Sequence, residues 1–154
     1  MPDYTSAVLL LERDHPIEVL QTRADGAAAA AGGLVLLAGE AGIGKTALLR
    51  AFAEQATIPI LWGMCDPLST PRPLGPLRDV ADALGPAVTA SLREAAPQHE
   101  IFAVVLAALR ATPRVLVVED LHWADEATTD LVRFLARRIA ALPLRRCPRA
   151  SATR

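Results

Sequence analysis

The stretch LVLLAGEAGIGKT, residues 34–46, decides how this chain folds. Residues 34–38 form a continuous apolar run between Gly32-Gly33 and Gly39, the pattern expected of a short strand buried on both faces. Gly39-Glu40-Ala41-Gly42-Ile43-Gly44-Lys45-Thr46 then satisfies G-x-x-x-x-G-K-[ST] at every position. A helical pattern follows from Thr46 to about residue 56, with Leu48, Leu49, Phe52 and Ala53 on one face. Strand, glycine-rich turn and helix in that order make an anion cradle. Glycines let the backbone approach an anion closely, and consecutive N–H groups and the helix N-terminus supply partial positive charge. Lys45 brings a compact ammonium to the phosphates, where the broad fork of an arginine would fill the space differently. The Thr46 hydroxyl is a hard oxygen suited to Mg2+. A glycine-rich turn with an incidental lysine is the alternative, and the strand before it and helix after it argue against that.

Working outward, residues 16–31 read as a helix opened by Pro16 and closed by Gly32-Gly33. Residues 58–62 (IPILW) read as a second strand, with Pro59 at its start. Residues 63–76 are loop-like, with prolines at 67, 71, 73 and 76. Residues 77–84 and 100–110 read as helices, the second strongly apolar and expected to be well buried. A third strand, residues 115–118 (VLVV), ends in Glu119-Asp120. Asp125 is placed to cap a last helix that runs through Ile139. Strands alternating with helices predict an α/β fold with a mostly parallel sheet.

The acidic pair completes the phosphate loop. Open parallel sheets bind ligands at the C-terminal ends of their strands, where Glu119 and Asp120 fall. The first acid would hold Mg2+, directly or through water, and the second would orient an attacking water. Glu119 is longer by a methylene than aspartate, which favours a water-mediated metal contact. Of the neighbouring residues, Trp123 is expected to pack and Asp125 to cap. His15 and His99 have no partners at metal-ligand spacing, and Arg137-Arg138 reads as a solvated helix end.

Composition bounds the alternatives. The chain has 154 residues, about one domain, with 52% hydrophobic but only 4% aromatic residues, so aliphatic side chains must build the core. No apolar run approaches the ~20 residues of a membrane span, and no basic segment precedes the apolar stretch near the start. Cys65 and Cys147 are far apart, which excludes a disulfide scaffold and fits a reducing cytoplasm. The net charge of −1 hides an asymmetry: the body is acidic, while residues 131–154 hold arginines and no acid. Lys45 is the only lysine of the chain.

GEAGIGKTALL followed by VLVVEDLHWAD resembles the AAA+/STAND-type P-loop ATPase module of large LuxR-family (MalT-like) bacterial transcriptional regulators. Leu11-Glu12-Arg13 resembles a short motif ahead of that family's first helix, and Pro73-Leu74-Gly75-Pro76-Leu77 the segment before its middle helices. The resemblance implies a P-loop NTPase fold of the AAA+/ASCE type, three layers αβα. It implies ATP and Mg2+ as cofactors, with Gly39, Glu40, Ala41, Gly42, Ile43, Gly44, Lys45 and Thr46 on the phosphates and Arg13 near the adenine. Thr46 and Glu119 would hold the metal, and Asp120 and Lys45 would carry catalysis. Self-association through the ATPase module is also implied.

After residue 144 the character changes, and residues 145–154 (RRCPRASATR) carry no large aliphatic side chain. The resemblance implies a buried strand here, lying between the strand before the phosphate loop and the strand before the acidic pair. Residues 1–144 are therefore expected to form an incomplete, C-terminally truncated ATPase domain of marginal stability, and residues 145–154 a basic, disordered tail from a frameshift or truncation. Three functional readings follow: an Mg-ATP-binding regulatory switch, an active ATP hydrolase, and a non-functional fragment of a larger regulator. No DNA-binding motif lies in this chain, and its acidic body does not favour DNA.

Overall fold

A computed structural model describes residues 7–10, 16–29, 32–38, 42–68 and 72–139. Strand β1 (Ala7–Leu10) leads to helix α1 (Pro16–Ala28), β2 (Val35–Ala38) and α2 (Lys45–Gln55). Then come β3 (Ile60–Met64), α3 (Gly75–Leu84), α4 (Pro86–Arg93) and α5 (Gln98–Ala111). β4 (Val115–Glu119), a 3-10 turn (Leu121–Trp123) and α6 (Glu126–Ile139) follow. The α/β alternation expected from the sequence is present. β1 and α4 are additional elements, and α3 takes in Gly75 and Pro76 from the stretch read as a loop.

Both strand pairings are parallel, as expected. β1 pairs with β2 in the register Ala7↔Val35 to Leu10↔Ala38, and β3 pairs with β4 from Ile60↔Val115 to Met64↔Glu119. The two pairs form separate two-stranded sheets among the described residues, with no ladder between β2 and β4. This corrects the expectation that residues 34–38 are buried on both faces: Leu36 is 45% exposed. Among the described residues neither apolar cluster takes in Leu36, so its side chain meets water. Residues 140–154, on which the implied intervening strand and the basic tail fall, lie outside the described residues.

Side-chain alternation on β3 and β4 sorts the core. Ile60 and Val115, which are register partners, join a cluster built on Leu20, Ala24 and Phe52 of α1 and α2. The next pair, Leu61 and Leu116, joins the larger cluster of α3 to α6, with Leu77, Val88, Phe102, Val105 and Leu131 at its centre. Successive side chains on a strand point to opposite faces, so helices cover both faces of the β3–β4 pair. α5 is well buried as expected, through Ile101, Phe102, Val105 and Leu106. Phe102 and Phe134 stack tilted at 5.3 Å between centroids, joining α5 to α6. Val35 of β2 also packs against the smaller cluster, so the starts of β2, β3 and β4 share one apolar centre around Phe52.

Candidate nucleotide site

The second half of the glycine-rich turn lies at the start of α2. Gly42 has φ 82° and Gly44 φ 97°, left-handed backbone that glycine adopts without a Cβ penalty. Among the described residues no atom lies within 4 Å of where a Cβ would stand on either, and it is this left-handed backbone that calls for glycine there. Gly44 is the N-cap of α2 with no side-chain cap, and the first turn carries no acid. Glycine has no side chain with which to cap the helix, so the start of α2 suits an anion. Lys45 is half-buried as the first residue of α2, and Thr46 follows it exposed. Gly39, Glu40, Ala41 and Arg13 lie outside the described residues.

β4 delivers the acidic pair to the same edge. The Thr46 hydroxyl donates to Glu119 Oε1 at 2.7 Å, joining two oxygen-bearing side chains 73 residues apart in sequence. These are the two residues expected to hold a metal. Hard oxygens from a hydroxyl and a single carboxylate, beside an uncapped helix start, fit Mg2+, which is bound by few protein ligands together with phosphate oxygens and water. The longer Glu119 side chain reaches Thr46 directly. Asp120 follows in the left-handed region, φ 55°, with its side chain exposed at the strand end.

Residues without a sequence motif fix this edge. The Cys65 N–H donates to the Glu119 carbonyl at 3.1 Å, continuing the β3–β4 ladder to its last rung. The Met64 N–H donates to Asp79 Oδ2 at 3.3 Å, and Arg72 pairs with the same carboxylate at 3.0 Å. Gly63 lies against α3: a Cβ there would come within 2.4 Å of the Pro76 carbonyl oxygen. A glycine inside a strand is the one sequence signal that marks such a close backbone approach. Burial first, and then the charges of Asp125, Asp120, Asp66 and Asp79, push the Cys65 thiol up to about 11.

Asp125 caps α6 as expected: Thr128 donates to it through its N–H at 3.1 Å and through its hydroxyl. Burial raises the Asp125 carboxyl, but the hydrogen bonds from Thr128 and Leu74 outweigh it and hold the group below its ordinary value. Trp123 does not pack as expected; it is 48% exposed and lies 5.0 Å from His122 between ring centroids. The short 3-10 turn holds it at the rim of the sheet, outside both apolar clusters.

A family profile described as AAA ATPase domain matches residues 9–147. The chain belongs to the AAA ATPase domain family. Membership in this family implies nucleotide binding. An uncharacterized protein of Rhizobium meliloti (strain 1021) is 26% identical to this AAA ATPase domain in a gapped alignment 183 positions long that takes in 88% of the chain. The chain spans 18% of that relative's length. No solved structure matches it significantly. No helix among the described residues is long and apolar enough to cross a membrane.

Proposed function

We propose that this AAA ATPase domain is an Mg-ATP-binding switch module of a LuxR-type or related signal-transduction ATPase. The observation that carries the reading is the Thr46–Glu119 hydrogen bond at 2.7 Å. It brings the hydroxyl of the phosphate loop and the acid of β4 to one point beside the uncapped start of α2. In this reading the N–H groups from Gly42 to Thr46 hold the phosphates and Lys45 neutralises them, while Thr46 and Glu119 hold Mg2+. The metal, when bound, supplies positive charge that bridges the phosphate oxygens. Gly39, Glu40 and Ala41 complete the loop, and Arg13 lies near the base. The chain works in the cytoplasm, associates with itself through the ATPase module and does not itself contact DNA. Residues 1–144 are the ATPase unit and residues 145–154 a tail. A second reading, turnover of ATP to ADP and phosphate, is favoured by Asp120, whose exposed carboxylate follows Glu119 at the strand end.

Titration calorimetry with Mg-ATP tests the first reading. The wild-type chain is expected to bind, and Lys45→Ala to lose binding while keeping its circular dichroism spectrum. A folded wild-type chain that takes up no Mg-ATP would overturn it. Phosphate release that disappears in Asp120→Asn, with binding retained, would favour the second reading.

A further inference from the structure

The acidic pair sits at the entrance of a turn whose exit is anchored elsewhere. Within the turn, the Trp123 N–H donates to the Asp120 carbonyl at 2.8 Å and the Ala124 N–H to the Leu121 carbonyl at 3.1 Å. The entrance is held by the Cys65 N–H on the Glu119 carbonyl. At the exit, Asp125 Oδ1 accepts two N–H groups from different elements: Thr128 at 3.1 Å, at the start of α6, and Leu74 at 3.4 Å, just before α3. Leu74 is 5% exposed and has φ 56°, so its N–H is aimed from a constrained backbone. Asp120 is also left-handed without being glycine, a conformation that persists where its surroundings fix it.

We propose that Asp125 is a positioning residue: by bridging Leu74 to Thr128 it locks the 120–124 turn and so sets where Glu119 presents its carboxylate to the metal and where Asp120 stands beside it. This rests on the Mg-ATP reading of the site. Capping α6 requires only an oxygen within reach of the Thr128 N–H. The bond to Leu74 is a different job, because it spans 51 residues of sequence and ties the turn to the N-terminus of α3. The carboxylate reaches both donors from one oxygen, whereas a serine hydroxyl stands one carbon closer to its own backbone and is expected to serve its own helix alone.

Two substitutions separate the jobs. Asp125→Ser keeps a good N-cap and loses the bridge, and Asp125→Asn keeps an oxygen for both donors. Affinity is measured for ATP with Mg2+ and for ATP in EDTA, and amide hydrogen exchange is followed at residues 121–124 in the nucleotide-free chain. Support for outer residues that orient metal ligands is typically worth 10–100-fold in metal affinity. Asp125→Ser is expected to weaken Mg-ATP binding about tenfold with ATP-EDTA binding changed less than about twofold, and to speed exchange at Trp123 and Ala124. Asp125→Asn is expected to restore both. Wild-type behaviour of Asp125→Ser, or equal weakening with and without Mg2+, would overturn the proposal and leave a helix cap alone. A wild-type chain that binds no Mg-ATP would overturn the parent reading; exchange at residues 121–124 would then still decide whether Asp125 locks the turn.

Discussion

Replacing Gly63 by alanine tests how closely α3 is bolted to the sheet edge that carries the site. The new Cβ would meet the Pro76 carbonyl oxygen at 2.4 Å, Pro76 Cβ at 2.7 Å and the Pro76 carbonyl carbon at 2.8 Å. Two of these are backbone atoms of the first turn of α3, so no rotamer change relieves the clash. Ordinary contact needs roughly 3.5 Å, so α3 must retreat by about 1 Å. Overpacking of this kind costs about 1–3 kcal/mol. Leu77, Val80, Ala81 and Leu84 retreat with α3 from the larger core, and the Met64 N–H loses its 3.3 Å bond to Asp79. A net loss of about 3 kcal/mol follows. With a urea slope of about 2 kcal/mol per molar, the unfolding midpoint falls by about 1.5 M. Gly75→Ala is the control: among the described residues nothing lies within 4 Å of its Cβ position. That variant is expected to match the wild type or gain up to about 1 kcal/mol. A Gly63→Ala midpoint within about 0.3 M of the wild type would refute the reasoning, because α3 would then be free to move without loss.

Three other outcomes follow from the same geometry. Phe52→Ala empties the centre shared by the starts of β2, β3 and β4, and calorimetric unfolding is expected to show a loss of about 3–5 kcal/mol. In a Cys147→Ser background, Cys65 is expected to react far more slowly with Ellman's reagent at about pH 8 than after unfolding in urea, because the buried thiol is pushed up to about 11; equal rates would contradict its burial. Asp125 is held below its ordinary 3.8, so the folded state favours the carboxylate. Its contribution is fully present above 3.8 and is lost as pH falls through the lower folded value, so acid titration of stability is expected to be shallower in Asp125→Asn.

The sequence made the local chemistry legible and left the long-range geometry open. The run 34–38, the glycine turn and the helix after it follow from residue type, because each is decided by neighbours within a few positions. Glu119 was identifiable because four apolar residues precede it and a strand end follows. β1 was not read, since a short apolar run such as residues 7–10 carries no period that separates strand from helix. The exposure of Leu36 was also out of reach: periodicity says that a run is apolar, and what packs on each face of the strand decides how much of it meets water. Asp79, Cys65 and Leu74 contribute through backbone groups or through partners far along the chain, so no spacing rule points to them. Asp125 was legible as a cap, a local relation of three residues, and not as a bridge across 51.

The position of Lys45 also has a chemical consequence. It is the only lysine of the chain and the first residue of α2, half-buried beside the glycine turn. Every amine-directed reagent therefore has a single side-chain target, and that target lies in the candidate site. Coupling through lysine, whether to a dye, a biotin or a sensor surface, would modify the site it was meant to report on, so immobilisation belongs on an affinity tag at a terminus. The same property makes acylation of Lys45 a one-position side-chain occupancy probe: protection by a bound anion would appear as the loss of a single mass increment on the peptide that holds it, in a protein whose other cationic side chains are arginine and histidine.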